Sequence, residues 1–439
     1  MHDDLTRKLD TPKVTPTRAS FSRTIDEAHF VSGTVLAAPY RIVGLLGNGG
    51  MGVNTGGTKM RRISFTKRIG LTVVLPFLLL SAFPSNCWAW GDHGHQIVVL
   101  IASRYLNAQA QENVLRLLME DIRVNDYYYK AACPDVLALS KSQPLSDVHR
   151  KQLLDEGLRC MVIWPDPPYV KFDRPYTANW HFIDIPLTHN PGGKATTYQL
   201  DLARECLLGA KNGDCALLAL ERFQAVLANP RKNGNYGESD ASRAEALKFI
   251  IHIVGDIHQP LHCANDQDLS KPDDHGDAGG NGKIVNWLNE QTYTYGVWNL
   301  HAVWDSGILD KILAAYKGQN DSSIEEAFIK DSSLPAAGSP DLVRMQEGSV
   351  FAWVYQSYLL AAEYVYGKLP PYDANYEYPV LDRKTFKPVI DPATNKPKTN
   401  FGGYRLTEEY YTANAPVVKR QLILGGVRLG RILNEDLGK

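Results

Sequence analysis

The stretch Ser239-Asp-Ala-Ser-Arg-Ala-Glu-Ala-Leu-Lys-Phe249-Ile-Ile-His252-Ile-Val-Gly-Asp256-Ile-His258-Gln-Pro260-Leu-His262 combines a structural pattern with a chemical one. From Ser239 to Val254 apolar residues recur at helical spacing, so a helix is expected there. His252 and Asp256 stand four apart, which places an imidazole and a carboxylate on one helical face. Pro260 then bends the chain back before His262. A second pair, in Asn299-Leu-His301-Ala-Val-Trp304-Asp305, repeats the spacing of histidine and aspartate and again projects both groups from one stripe.

Helical patterns dominate on either side of this segment. They run from Gln96 to Leu106, Ala108 to Leu118, Leu200 to Gly209, Cys215 to Leu227, Ser239 to Val254, Gln346 to Tyr366 and Ala415 to Asn434, while alternating strand patterns are scarce. The expected fold is all-α, a single large multi-helical domain with long connections at Pro165 to Tyr176 and Cys263 to Gly282. The chain of 439 residues carries 47 basic against 48 acidic side chains, a formal charge of −1 that excludes a dominant basic patch for polyanions. With 44% hydrophobic residues it is neither disordered nor a coiled coil.

The first 89 residues divide in two. Residues 60 to 89 have the zones of a secretory signal: basic Arg61, Arg62, Lys67 and Arg68, an apolar run from Ile69 to Phe83, then Pro84-Ser-Asn-Cys-Trp-Ala89 as the cleavage region. The apolar run falls short of the ~20 residues needed to span a bilayer, which argues for a cleaved signal over a permanent anchor. Residues 1 to 59 precede it, and Gly47-x-Gly49-x-x-Gly52 there resembles the glycine loop of bacterial serine/threonine kinases. No V-A-I-K, H-R-D or D-F-G segment follows, so a misassigned start or a vestigial fusion is expected, with Met60 opening the functional product. Cleavage after Ala89 leaves residues 90 to 439 as the working domain. Five cysteines remain in it: Cys133, Cys160, Cys206, Cys215 and Cys263. Export favours pairing, the odd number leaves at least one free, and Cys206 with Cys215 across the turn at Gly209 to Asp214 is the expected pair.

A lone histidine on an apolar helix is ordinarily a satisfied core residue. Several histidines with spaced aspartates in one exported chain form a metal-ligand pattern instead. Imidazole nitrogen with carboxylate oxygen and no essential thiolate suits zinc in a hydrolytic site with an open coordination position. Calcium would demand more oxygens, and an electron-transfer copper site would demand Cys or Met.

Four ordered motifs, Trp90-Gly-x-x-Gly-His95, Trp180-His181-Phe182-Ile183-Asp184, His252-x-x-Gly-Asp256-Ile-His-x-Pro-x-His262 and Asn299-Leu-His301-x-x-Trp304-Asp305, resemble the zinc-dependent single-strand-specific nucleases of the S1/P1 type. Their superfamily also holds bacterial zinc phospholipase C. The resemblance extends over nearly all of residues 90 to 434, including Gly279-Gly280-Asn281 and Ala415-Pro416-Val417-Val418.

The resemblance implies a multi-helical domain around a trinuclear zinc cleft. Asp166, His181, His252 and Asp256 would hold one ion. His95, Asp256 as a bridge, and the free amine and carbonyl of Trp90 would hold its close partner. His262, His301 and Asp305 would hold the third. Asp184 would orient the attacking water, while Phe182 and Asn281 would form a base pocket by stacking and edge hydrogen bonding. Where the family often has a basic residue to stabilise the transition state, this chain has Tyr169, and Lys171 or Arg174 would substitute. His258 would support the ligands from behind. The implied activity is hydrolysis of single-stranded DNA and RNA to 5′-phosphate products, with 3′-nucleotidase activity, by a secreted or periplasmic enzyme.

Zinc phospholipase C is the nearest alternative, but Ile253 stands where its signature typically has tyrosine and Asp305 where it commonly has glutamate. A secreted, non-catalytic metal-binding protein is the reading from a different class. The boundary at Ala89 gives a direct expectation: intact-mass analysis of exported protein should find a chain that begins at Trp90, and residues upstream of it would contradict the reading.

Overall fold

A computed structural model describes residues 90–439, apart from 143–145, 168–169, 171–172, 188–200, 207–213, 232–236, 269–273, 319–322 and 383–384. Upstream, in a separate unit, it describes only an antiparallel strand pair, Val35–Ala37 with Tyr40–Arg41. The glycine loop at Gly47 to Gly52 and the signal segment lie outside the described residues.

The chain from Trp90 onward is mostly α-helical, as its periodicity predicts. The principal helices are α1 (Asp92–Ser103), α2 (Ala108–Val124), α3 (Asp147–Ile163), α4 (Ala216–Leu227), α5 (Asp240–Asp256), α6 (Val350–Leu360) and α7 (Glu408–Leu437). Their starts are chemically marked. Ser239 accepts a hydrogen bond from the Ser242 amide at 3.1 Å, and Asn107 accepts one from Ala110 at 2.8 Å, so orphan amides of the first turn are satisfied. From Ala246 to Asp256 every residue of α5 is buried, as expected of a helix apolar all round.

Helix α5 is the central rod. It packs against α2, α3, α4 and α7, while α1 lies between α3 and α7. Lys248 of α5 pairs with Asp121 of α2 at 2.8 Å inside the core, and Asp121 also accepts from the Tyr129 hydroxyl at 2.7 Å. A charged pair at this depth survives because its remaining hydrogen-bonding capacity is used. Lys248 Nζ also sits 3.6 Å from the centre of the Trp164 ring.

Several sequence expectations are adjusted. Among the described residues the segment expected as a helix from Leu200 to Gly209 is helical only over Leu202–Glu205. The helix expected from Gln346 to Tyr366 breaks at Gly348, whose φ of +96° is left-handed, and resumes as α6 followed by a π-helical turn, Ala361–Tyr366. Helix α7 starts at Glu408, ahead of the expected Ala415, and carries Pro416 in its interior. Helix α3 has little amphipathic signal in its sequence. A small sheet was also not expected. Its order is β1 (Val285–Trp287), β3 (Thr399–Leu406), β2 (Asp373–Pro379), with β1 parallel and β2 antiparallel to β3. Both disulfides lie in this domain: Cys206–Cys215, as expected, and Cys133–Cys160, while Cys263 is free and buried. No helix among the described residues is long and apolar enough to cross a membrane.

Helices α1 and α7 approach closely because Gly426 has no side chain: a Cβ there would lie 2.4 Å from Cβ of Ile101 and 3.0 Å from the Val98 carbonyl oxygen. Gly426→Ala should therefore cost about 1–3 kcal/mol of stability through overpacking, read as a lower denaturant midpoint at an unchanged slope.

Candidate metal centre

The carboxyl end of α5, the first turns of α1, the Trp164–Asp184 connection, the turn after α5 and the Leu300–Gly307 segment converge on one buried region. Five histidines and three aspartates meet there: His95, His181, His252, His262, His301, Asp166, Asp256 and Asp305, each at most 6% exposed. They form three groups, His95 with His252 and Asp256, Asp166 with His181 and His252, and His262 with His301 and Asp305; in each, one ligand atom per residue lies within 4.8 Å of the others.

The rings are aimed by their backs. His252 Nδ1 donates to the Val162 carbonyl at 2.7 Å, His262 Nδ1 to the His181 carbonyl at 2.6 Å and His301 Nδ1 to the Gly279 carbonyl at 2.7 Å. A carbonyl only accepts, so a proton resides on Nδ1, and each Nε2, once free of its own proton, presents a lone pair to the cluster. His252 Nε2 faces His181 Nδ1 at 3.0 Å, Asp166 at 3.5 Å and Asp256 at 3.5 Å. His95 Nε2 is 3.4 Å from Asp256, and His181 Nδ1 is 3.2 Å from the other Asp256 oxygen. His301 Nε2 lies 3.2 Å from Asp305, and the buried His262 Nε2 has no hydrogen-bond partner. Converging lone pairs and buried carboxylates are a donor set that fits zinc.

Gly255 makes the centre possible. A Cβ there would lie 2.6 Å from His95 Nδ1, so only glycine lets α1 bring the His95 ring onto α5, where it stacks on His252 at 4.1 Å between centroids. The stripe expected for His301 and Asp305 is realised differently. His301 lies in a short α-turn, Leu300–Ala302, and Asp305 sits in a π-helical turn, Val303–Gly307, a local widening common at functional sites.

Electrostatics show what the pocket favours. Burial alone would depress His252, but Asp256 and Asp166 outweigh it and hold the imidazole at about 9. Burial, with His301 beside it, presses His262 well below its ordinary value. Burial raises Asp305 and, with help from Asp277, raises Asp184 to about 6. The clustered carboxylates thus favour positive charge at this point, whether a proton on His252 or a cation in its place.

The expected residues are placed as follows. Asp166, whose fifteen-residue spacing to His181 favours it over the alternative Asp173, is brought to the His181–His252 group, whereas Asp173 is exposed. Trp90 is fully buried, and the neighbouring Gly91 amide donates to the Asp305 carbonyl at 2.9 Å. Phe182 and Asp184 line a cavity of about 240 Å³ together with Asn179, Asn265, Asp214 and the Cys206–Cys215 disulfide. Asn281 is on the neighbouring turn and donates to the Ala278 carbonyl at 3.0 Å. Arg174 pairs with Glu245 at 2.6 Å and lies 5.3 Å over Trp164. Lys171 and Tyr169 lie outside the described residues. His258 touches no ligand side chain directly: Nδ1 donates to the Val254 carbonyl and Nε2 accepts from Arg428 at 2.9 Å, and burial with Arg428 lowers it to about 3. The cavity residues Asp214 and Asn265 were not legible in the sequence, because only the folded chain brings them beside Phe182.

Residues 90–438 match the S1/P1 nuclease family. Among curated proteins the chain is 25% identical over 380 residues to Endonuclease 2 of Arabidopsis thaliana, covering 84% of this chain and 98% of the relative. It is 24% identical over 368 residues to Endonuclease 4 of the same plant, covering 81% and 92%. Nuclease S1 of Aspergillus oryzae is 26% identical over 229 residues, covering 52% of this chain and 58% of its own length.

The two candidate aspartates separate cleanly by experiment. Asp166→Ala should lower the metal content measured by elemental analysis, whereas Asp173→Ala, at an exposed position, should leave it at the wild-type level.

Proposed function

Because the chain belongs to the S1/P1 nuclease family, we propose that its mature form, starting at Trp90, is an exported zinc-dependent endonuclease. It cleaves single-stranded DNA and RNA to products bearing 5′-phosphates and also acts on 3′-nucleotides. The observation that carries this reading is the set of three buried His/Asp groups beside the cavity that Phe182 and Asp184 line.

Asp166, His181, His252 and Asp256 hold one ion, His95, Asp256 and the Trp90 amine and carbonyl a second, and His262, His301 and Asp305 a third. Bound zinc supplies positive charge for phosphoryl oxygens and makes hydroxide accessible near neutral pH. The protein's own groups do the positioning. Phe182 offers an aromatic face to a base and Asn281 an amide to its edge, so the base must be unpaired to enter, and this supports preference for single strands. Asp184, raised to about 6 by burial, orients the attacking water. Of the two basic residues considered for the transition state, Arg174 is drawn to Glu245, and Lys171 keeps that role on sequence grounds. Export completes the site: an α-amine of pKa near 8 yields its proton to a cation at neutral pH, whereas an internal amide nitrogen does not.

The test is a pair of assays on Trp90-initiated protein. Single-stranded DNA and RNA should be cut, duplex DNA much more slowly, and chelator should abolish both reactions until zinc is restored. Release of choline phosphate from phosphatidylcholine without nucleotide release would overturn the proposal in favour of a phospholipase, and tight zinc binding without turnover would favour a non-catalytic protein.

A further inference from the structure

Gln259 is fully buried, and all four of its polar groups are engaged at the centre. Its backbone amide donates to the Asp256 carbonyl at 2.9 Å and its backbone carbonyl accepts from the His262 amide at 3.0 Å. Its side-chain Oε1 accepts from the Leu261 amide at 2.6 Å, and its Nε2 donates to Asp305 Oδ1 at 2.7 Å. One residue is therefore bonded to three chain positions that the metal reading treats as ligands, and they belong to two different groups.

The side chain has no rotational freedom left to drift. With Oε1 held by Leu261, the amide orientation is settled, and Nε2 must be the atom that meets Asp305. That donation anchors Oδ1, which also lies 3.9 Å from His262 Nε2, while Oδ2 faces His301 Nε2 at 3.2 Å. A carboxylate tethered through Oδ1 is held against rotating away from the cluster.

We propose that Gln259 is a positioning residue that clamps the Asp305 carboxylate and holds the third metal group in register with the paired groups. The proposal rests on the zinc reading above. Losing such an outer partner typically weakens metal binding about 10- to 100-fold. Because the side chain meets only Asp305 among the ligand side chains, the weakening falls on one ion and spares the other two.

The experiment is a zinc titration against a chromophoric chelator, using Trp90-initiated wild type, Gln259→Met, Asp305→Ala and the double variant. Circular dichroism and thermal melting in excess chelator establish that each variant is folded. Wild type should hold three ions. Gln259→Met should loosen one of them about 10- to 100-fold, and the two ions kept by Asp305→Ala should bind equally well when Gln259→Met is added. Should Gln259→Met fail to fold, Gln259→Glu keeps an oxygen for the Leu261 amide while removing the donor to Asp305, and should loosen the same ion. Undiminished binding of all three ions by a folded variant would overturn the clamp. Equal weakening of all three would also overturn it, since that marks a general disturbance of the turn. A wild type that holds no zinc would strike the zinc reading itself, and so is distinguishable from failure of the clamp alone.

Discussion

Asp256 is a carboxylate with no exposed surface, placed as the last residue of α5, which is buried at every position from Ala246 onward. Burying such a group is costly unless positive charge comes to it. Its position sharpens the demand, because the carboxyl end of a helix already carries partial negative charge from its unsatisfied carbonyls. The imidazoles of His95, His181 and His252 face Asp256 from three separate chain segments, and the surrounding fold can be understood as what brings them there.

Meeting that demand explains why the protein is built of helices with long connections. Each ligand needs a rigid base and a fixed ring orientation. Helices α1 and α5 supply the bases, and carbonyls of α3, the Trp164–Asp184 connection and the Gly279 turn supply the orientation. The formal charge of −1 is compatible with a phosphate-directed enzyme for the same reason. In the proposed reading, attraction for phosphate comes from cations that the buried His/Asp groups would hold, and need not appear in the net charge.

The legible parts were those set by local spacing. The His252 and Asp256 helix, the second histidine–aspartate pair and the Cys206–Cys215 closure are short-range patterns that a period or a loop length reveals. What stayed hidden depends on residues far apart in the chain. Strand β1 pairs with β3 across more than a hundred residues; β1 has only three residues, and the eight of β3, with Gly402 and Gly403 at their centre, do not alternate. Cys133 and Cys160 gave no spacing cue. The helical stripe of His301 and Asp305 was correct in facing one direction, but the π-helical turn that produces it has no sequence period. No local spacing marks Gln259, because its hydrogen bond to Asp305 reaches across 46 positions.

Gly255 has a consequence beyond packing. Within the His-x-x-Gly-Asp signature it coordinates nothing, yet it is the position at which another helix presses an imidazole against the motif. The glycine therefore works as a diagnostic mark that a partner ring exists elsewhere in the chain. In a diverged copy of this protein, retention of His252 and Asp256 with a bulkier residue between them would signal that the His95 stack had been discarded. The loss of one imidazole from the centre could be read from that one letter.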